Sequence, residues 1–492
     1  MDHAASRPGA PADGAPAALT SAQRSLTLLG VLLGMFLAAL DQTIVSTAGP
    51  RIIEDLHISP TLYDWLSASY NLASTLLVPI WGKLSDVKGR RPILLVGIAI
   101  FLLGSLGCAL APEFLTLVGF RAVQGAGAAA LFTSAFAVIA DLFPPAVRGK
   151  YAGILAAMWG ISGVIGPVLG GVITDALSWH WVFLVNLPLG ALAIVFIALQ
   201  MPRLGGGLPG RIDLRGVLAL ASAVVPLLLA LTLGRSSVAE GALPTASRWG
   251  DPIVLALFAA ASAGLALFIR SQARAEHPII DLAFFREPVF RWGTLATGLV
   301  GMAFFASILF APLFMQEVRG ASPTDAGLVL MPLTLGIVSG NILSGQLASR
   351  LGRYKGLLVG SVAVVCAANA WLAFTLDSAI TAGEMKVKLA LLGLTLGPSL
   401  PLFTLAIQNG MPARAVGTVT ASVTFFRQMG TTIGIAISGA VFGAVLTSSA
   451  GASPAEAMTR ALAAVFWVGA GITFLALLVT LRVPGHELRK HH

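Results

Sequence analysis

The sequence predicts an all-α polytopic membrane protein with 14 transmembrane helices, arranged as six, two and six. Three observations predict this class: the composition, the distribution of apolar and basic residues, and an internal repeat. The chain has 492 residues, of which 56% are hydrophobic and 11% are charged, and its mean hydropathy is +0.87. Because a soluble domain carries about 25% charged residues, we expect much of this protein's surface to face lipid.

Apolar segments that are long enough to cross a membrane occur along the whole chain. A helix needs about 20 mainly apolar residues to cross the hydrocarbon core. We assign 14 such segments from the sequence. They lie near 26–48, 64–82, 93–111, 115–140, 150–173, 181–201, 214–234, 251–270, 292–315, 325–349, 355–376, 386–408, 415–447 and 460–482.

The basic residues predict the orientation. If the N-terminus is cytoplasmic, 22 of the 31 Lys and Arg residues lie in cytoplasmic loops and tails, 7 lie on the opposite side, and Arg121 and Arg427 lie inside spans. Cytoplasmic loops of membrane proteins are enriched in Lys and Arg. We therefore expect both termini in the cytoplasm. The net charge of +9 reflects this topology, so we expect no nucleic-acid partner.

A repeated loop sequence divides the chain into two halves. Residues 82–90 and 345–353 share the pattern G-x-L-x-x-x-x-G-R at an offset of 263 residues (345 minus 82). Two six-helix repeats around a midplane site are a known transporter architecture. We predict a disordered cytoplasmic tail, an N-terminal bundle, two additional helices with their linkers, a C-terminal bundle and a second cytoplasmic tail, with the halves related by a pseudo-twofold axis. The boundaries are 1–24, 25–203, 204–288, 289–483 and 484–492.

Signatures of other membrane-protein classes do not occur in the sequence. We find no phosphate-binding loop, no H-E-x-x-H pair and no nucleophile elbow. The glycines at 125–130 lie in an apolar helix without a preceding strand, which favours close helix packing. The seven His residues lie in tails and loops, and Cys108 and Cys366 lie in apolar runs. We therefore expect no enzyme activity, no metal and no cofactor, which leaves ion-coupled carriage or a passive channel.

Four motifs resemble those of the major facilitator superfamily and, within it, the fourteen-span drug:proton antiporter branch of the DHA2 type. They lie at 40–52 in the first span, at 82–91 in the loop after the second span, at 121–127 in the fourth span and at 160–171 in the fifth span. The resemblance implies a proton-coupled exporter of amphipathic, cationic or lipophilic compounds that works by alternating access. One departure is Ser349 at the position that matches Asp86, so we expect a weaker charge contact in the second loop.

Two charges inside the N-terminal spans are candidates for proton coupling. Asp41 lies well inside the first span, where a charged side chain costs about 2.5–3.5 kcal/mol on insertion scales. We interpret it as a proton carrier and a counter-charge for a cationic substrate; the alternative is a polar residue that packs helices. By resemblance, Arg121 assists proton transfer; the alternative is a structural partner for a carbonyl or a carboxylate. The sequence leaves open whether these two residues pair.

Candidate substrate contacts are polar and aromatic residues of the spans, which suit lipophilic cations through stacking and cation–π contact. The alternative for each is ordinary packing. Arg427 either contacts substrate or stabilises an interface, and it opposes a purely cationic substrate because it would repel cations. The complete set is Gln42, Tyr70, Asn71, Trp159, Phe304, Phe305, Asn341, Phe425 and Arg427.

Two motifs are candidates for conformational gating: the loop after the second span and the glycine-rich fifth span. The loop predicts a cytoplasmic charge cluster, and the glycines predict a bent, closely packed helix. The gating candidates are Gly82, Asp86, Gly89, Arg90, Arg91, Gly166, Pro167, Gly170 and Gly171. Three further acids, Asp64, Glu113 and Glu317, either mark loop edges or guide protons and cations on the outer face.

We predict a monomeric multi-pass protein of the bacterial inner membrane whose partners are a lipophilic small molecule and membrane lipids. One alternative is an exporter or flippase of a lipid or lipophilic metabolite. Another is a non-transporting membrane sensor. A dye-efflux assay with and without an uncoupler separates these alternatives.

Overall fold

The computed structural model describes residues 20–58, 60–206, 213–234, 249–304, 311, 314–316, 318–320, 328–377, 379–412, 415–449 and 452–485. In this part of the chain the regular elements are α-helices and one short 3-10 helix at Leu282–Arg286. The predicted all-α class is therefore confirmed. Most of the two predicted tails, together with Phe305 and Glu317, lies outside the described residues.

The N-terminal half contains seven helices, because the predicted sixth span is interrupted at Val185. Thr20 starts the first helix through a capping box with Gln23. Gly89, with φ of +94°, separates the second helix from the third. The helices are α1 (Ser21–Asp55), α2 (Pro60–Lys88), α3 (Arg90–Ala109), α4 (Phe114–Leu142), α5 (Pro145–Ala176), α6 (His180–Leu184) and α7 (Asn186–Gln200).

The middle and C-terminal parts continue the same helical pattern. Gly352, with φ of +66°, ends one helix in a left-handed conformation. The helices are α8 (Leu214–Leu233), α9 (Pro252–Arg274), α10 (Pro288–Phe304), α11 (Leu330–Leu351), α12 (Lys355–Thr375), α13 (Ala382–Leu396), α14 (Ser399–Gly410), α15 (Val416–Ser448) and α16 (Pro454–Leu481).

Helix length and composition indicate how many helices could cross a membrane. Twelve stretches among the described residues are long and apolar enough to cross a membrane, with α6–α7 and α13–α14 each making one stretch. The 29-residue α2 falls outside this criterion, as does α10, of which 17 residues are described. The count of 14 spans stays a prediction.

The two halves pack as bundles. In the N-terminal half, α1 packs against α5 and α7, and α4 packs against α2 and α3. In the C-terminal half, α10 packs against α15 and α16, α11 against α13, and α12 against α16. The extensive contacts between the halves are those of α5 with α11 and of α2 with α15. These two pairs position the contacts of the two repeated loops described below.

The helices α8 and α9 form a hairpin against the seam between the halves. They pack mainly against each other, and α8 also contacts α2 and α15. Val78 of α2, Leu220 and Val224 of α8, and Ala421 and Phe425 of α15 share one buried apolar cluster. The hairpin therefore packs along one side of the α2–α15 seam.

Candidate functional site

The side chain of Asp41 lies at the centre of a polar cluster inside the N-terminal half. Its Oδ2 accepts a hydrogen bond from Arg121 Nη1 at 2.5 Å. Its Oδ1 accepts from Gln124 Nε2 at 2.6 Å and from Asn186 Nδ2 at 2.9 Å. Four helices supply this cluster, because Ser105 of α3 accepts from both amides at 2.6 and 3.1 Å. The cluster joins α1, α3, α4 and α7 around one carboxylate.

Arg121 is enclosed as completely as its partner. Its Nη1 also donates to Gln124 Oε1 at 2.7 Å, and its Nε donates to the Leu66 carbonyl at 3.3 Å. The guanidinium carbon lies 4.4 Å from the centre of the Tyr70 ring, a cation–π distance. The cost of burying this charge is thus offset by an ion pair, hydrogen bonds and a ring face.

The cluster is sealed within one half of the molecule. Asp41, Gln124 and Asn186 have no exposed surface, and Arg121 is 2% exposed. The question that the sequence left open is answered, because Asp41 and Arg121 pair directly. The role of Asp41 as counter-charge for a cationic substrate stays a prediction, and in this conformation its carboxylate is already paired.

The sequence reasoning missed Ser105 and Asn186 and did not select Gln124 as a site residue. A signal existed for two of them. Gln124 stands three residues after Arg121, which places both on one face of α4. Asn186 is an amide inside an otherwise apolar span, and such a polar residue needs a partner there. Ser105 carries no such signal, because serine occurs throughout membrane helices.

The loop motif after α2 forms a second buried network, on the side of the molecule that the sequence predicts to be cytoplasmic. Asp86 accepts from the backbone N–H groups of Gly417 and Thr418 at 2.8 and 2.6 Å, and from the Thr418 hydroxyl at 2.7 Å. Arg90 donates to Asp86 at 2.6 Å and to Asp141 at 2.8 Å. A carboxylate at a helix N-terminus is stabilised by the unpaired N–H groups and the helix dipole. Asp86 thus connects the N-terminal half to the first turn of α15.

The neighbouring motif residues support this loop. Gly82 lies against Ala421 and the Gly417 carbonyl, where a side chain would collide with α15. Arg91 donates to the carbonyl of Ala198 at the end of α7.

The equivalent position in the C-terminal half makes a similar but smaller contact. Ser349 Oγ accepts from the backbone N–H of Lys150, in the first turns of α5, at 3.2 Å. Close beside it, Gly149 and Gly345 face each other with no room for a side chain. A neutral hydroxyl at 3.2 Å replaces three contacts from a buried carboxylate. This geometry agrees with the weaker contact expected from the Ser349 departure.

The glycines of the fifth helix pack against α1. Gly166 faces Thr43, and Gly170 faces Ile44 and Thr47, so any side chain at either glycine would collide with α1. A methyl group on Gly171 would meet no described atom within 4 Å. Pro167 lies inside α5. The role of these residues in conformational change stays a prediction, and their direct contacts lie within the N-terminal half.

The substrate candidates do not form one group. Tyr70 is fully buried against Arg121 and donates to the Ala38 carbonyl at 3.4 Å. Asn341 is 1% exposed, lies against Gly153 and has a side-chain oxygen without a donor among the described residues. The half-buried Trp159 stacks on Phe132 with ring centres 5.2 Å apart.

The remaining candidates differ in exposure. Gln42 and Phe304 are half-buried, Asn71 is exposed, and Phe425 is buried edge-on to Phe426. The secondary acid Glu113 is exposed at the start of α4 and accepts from the Thr116 hydroxyl. Asp64 lies in the first turns of α2.

Arg427 differs from Arg121 in that none of the described residues pairs with it. Its side chain is half-buried on α15, and its stem lies beside Gly301 of α10. The ion pairs and hydrogen bonds of the described residues do not include it. The next residue, Gln428, has a buried side-chain oxygen that also lacks a donor among these residues.

These observations define a class of protein: a helical membrane protein with two packed halves and a sealed charge pair in one of them. The sequence profile of the Major Facilitator Superfamily matches residues 31–435. The chain belongs to this superfamily, and it is a transporter.

Two relatives come from Bacillus subtilis (strain 168). The multidrug transporter protein MdtP is 36% identical over 422 residues, which cover 86% of this chain and 76% of the relative. Multidrug resistance protein 3 is 35% identical over 427 residues, which cover 87% and 81%. The solved structure of the human organic anion transporter MFSD10 (TETRAN) matches with a TM-score of 0.65, covering 93% of this chain and 99% of that one. At 15% identity, this likeness shows the fold alone.

Proposed function

We propose that this protein is a drug:proton antiporter, which exports amphipathic or lipophilic compounds by alternating access and is driven by the proton gradient. The observation that carries the proposal is the pairing of Asp41 with Arg121 inside the N-terminal half. An ionisable residue inside a membrane span is by default a functional candidate. The names of the two multidrug relatives support the class of substrate.

The proton step follows from the hydrogen bonds of Asp41. In the ionised state its two oxygens accept three side-chain hydrogen bonds. Protonation removes the charge that pairs with Arg121 and adds an O–H donor that needs an acceptor. Asn186 Oδ1 is buried without a donor among the described residues. A rotation of the Asn186 amide exchanges its nitrogen for this oxygen and satisfies the protonated carboxyl.

The conformational step involves the cytoplasmic contacts between the halves. Asp86 and Ser349 accept from the first turns of α15 and α5, respectively, and α5 packs along α11 from Gly149 to Gly163. With both termini in the cytoplasm, as proposed below, these contacts hold the two halves together on the cytoplasmic side. Opening toward the cytoplasm must break them, so the stability of the Asp86 network sets part of the equilibrium between the two states.

We further propose that the protein lies in the bacterial inner membrane with both termini in the cytoplasm. The distribution of 22 basic residues against 7 supports this orientation. Protons then enter the cytoplasm down their gradient, and their entry drives the export of the compound in the opposite direction. The membrane potential adds about 2.3 kcal/mol per charge per 100 mV.

The test is efflux of a fluorescent lipophilic dye from cells that express the protein, with and without an uncoupler. We expect efflux that stops when the proton gradient is removed, and no efflux above background for Asp41→Asn. Continued efflux in the presence of the uncoupler would refute proton coupling. Lipid movement without dye movement would instead favour the lipid-flippase alternative.

A further inference from the structure

We propose that Arg427 binds a negatively charged group, a carboxylate or a phenolate, of the transported compound. The compounds are then zwitterionic or anionic amphiphiles in addition to any cations. This inference rests on the proposed export function and specifies the chemistry of its substrate. It follows from the charge balance inside the membrane, the depth of Arg427 and its lack of a partner.

The membrane interior contains two arginines and one carboxylate. Arg121 and Arg427 are the two Lys or Arg residues that lie more than three residues inside predicted spans, and Asp41 is the one acid placed well inside a span. The acids of the C-terminal half all lie at the predicted outer ends of spans. They are Glu317, Asp325, Asp377, Glu384 and Glu456. Because Arg121 already pairs with Asp41 at 2.5 Å, the sequence leaves Arg427 without a carboxylate at its own depth.

Arg427 lies inside the predicted span rather than at its end. It follows Val416, the first residue of α15, by 11 residues, which is about 16 Å along a helix axis. The helix has 33 residues, which is about 50 Å, whereas the hydrocarbon core is about 30 Å thick. Arg427 therefore lies inside the core on its predicted cytoplasmic side. A long side chain there can reach towards the interface, so a lipid headgroup is the competing counter-ion, which the test below distinguishes from the transported compound.

The side chain of Arg427 is partly accessible. It is half-buried rather than sealed. The facing helix α10 packs closely on its backbone, since a Cβ on Gly301 would lie 2.7 Å from the Arg427 carbonyl oxygen. The part of the chain that follows this helix, 305–313, contains no acidic residue. Because none of the described residues pairs with the guanidinium, its donors can bind an anion from outside the chain.

The chemistry of the guanidinium selects the ligand. Arginine stays ionised at any physiological pH, and its planar fork matches a carboxylate with two parallel hydrogen bonds. Adjacent Phe425 and Phe426 lie with ring centres 5.5 Å apart, and aromatic faces suit the apolar part of such a compound. An inside-negative potential also favours outward movement of an anion.

The test compares two dyes that differ in one group. Rhodamine B carries a free carboxylate, and its methyl ester is a permanent cation with nearly the same rings. We would measure binding of each dye to purified protein in nanodiscs of neutral lipid, and uncoupler-sensitive transport in proteoliposomes. Arg350→Gln is the matched control, because Arg350 is an exposed arginine near the cytoplasmic end of α11.

For Arg427→Gln we expect the affinity for the acid to fall about tenfold, which corresponds to about 1.4 kcal/mol, and the affinity for the ester to change less than twofold. Arg350→Gln should change neither affinity. A wild-type protein that binds only the ester, or an equal loss for both dyes in Arg427→Gln, would overturn the proposal. Loss of acid binding when the nanodiscs contain anionic lipid would overturn it too, because a lipid phosphate would then fill the site.

Two further measurements keep the test decisive. If Arg427→Gln does not give monodisperse protein, Arg427→Lys keeps the charge and removes the fork. A selective loss of about threefold for the acid would then support the proposal, and equal changes for both dyes would refute it. Failure of the proposed export function has a different signature, which is binding of both dyes to wild type without uncoupler-sensitive transport of either.

Discussion

Each half of this transporter has an arginine inside a predicted span, and the two arginines differ in their burial and in their partners. In the N-terminal half, Arg121 is 2% exposed and is held by Asp41, Gln124, the Leu66 carbonyl and the Tyr70 ring. In the C-terminal half, Arg427 is half-buried and none of the described residues pairs with it. A duplicated architecture thus carries one sealed charge and one available charge. We propose that the first serves the coupling ion and the second serves the transported compound.

The largest expected effect comes from breaking the sealed pair. Asp41→Asn leaves Arg121 without a counter-ion, and removing one partner of a buried ion pair costs about 3–5 kcal/mol. Arg427→Gln removes a cation that pairs with none of the described residues, so we expect unchanged or higher stability. Thermal unfolding of the two purified variants measures the difference. A similar fall in melting temperature for both would refute the contrast between the halves.

The double variant Asp41→Asn/Arg121→Gln sharpens the same comparison. It removes both charges, so we expect it to regain part of the melting temperature that Asp41→Asn loses, because no unpaired charge stays buried. Proton-coupled transport should stay absent, because the carboxyl is missing. Recovery of coupling in the double variant would show that Asp41 does not carry the proton.

The second comparison concerns the two cytoplasmic loops. Asp86→Asn removes a charge that accepts from Gly417, Thr418 and Arg90, and hydrogen bonds to a charged group contribute about 1.5–3 kcal/mol each. Ser349→Ala removes one neutral bond at 3.2 Å, which contributes about 1 kcal/mol.

We therefore expect Asp86→Asn to lower transport about tenfold or more and Ser349→Ala to lower it less than threefold. Maleimide labelling of a cysteine placed at Ala421, in a background without Cys108 and Cys366, reports opening of the cytoplasmic side. Faster labelling is expected for Asp86→Asn alone. Equal labelling rates in the two variants would contradict the asymmetry between the loops.

The third comparison concerns a feature that both halves share, which is close helix packing at a glycine. Gly170 packs against Ile44 and Thr47 of α1, and Gly434 packs against Met302 of α10. Gly170→Val and Gly434→Val should both reduce the yield of folded protein, because overpacking typically costs about 1–3 kcal/mol. Gly171→Ala is the control, since its added methyl group meets no described atom within 4 Å. Fluorescence-detected gel filtration measures the yields, and a loss in Gly171→Ala comparable to that in Gly170→Val would refute the packing argument.

The smallest expected effect concerns Asn186. Asn186→Ala deletes one bond to Asp41 at 2.9 Å and should cost about 1 kcal/mol of stability. If the Asn186 oxygen accepts a hydrogen bond from the protonated Asp41, Asn186→Ala should also shift the pH at which transport is half-maximal. Ser105→Ala should leave this pH unchanged. A parallel shift in both variants would assign Asn186 a structural role only.

Much of the fold could be predicted from the sequence, because membrane insertion depends on local composition. Apolar length fixes which segments cross the bilayer, and the basic loops predict their direction. The matching motifs at 82–90 and 345–353 also revealed the two halves. The breaks at Val185 and between α13 and α14 were not anticipated, since both lie within continuous apolar runs.

For the functional residues, too, one part could be predicted from the sequence and another part required the tertiary structure. The sequence by itself determined that Asp41, Arg121 and Arg427 are costly charges in the membrane, since a charge there needs a partner or water. Only the tertiary structure decided which of them pair. Pairing depends on where α1, α3, α4 and α7 approach one another, and Ser105 and Asn186 are distant from Asp41 in the chain. The same packing leaves Arg427 beside Gly301 and, among the described residues, without a carboxylate partner, which sequence spacing does not show.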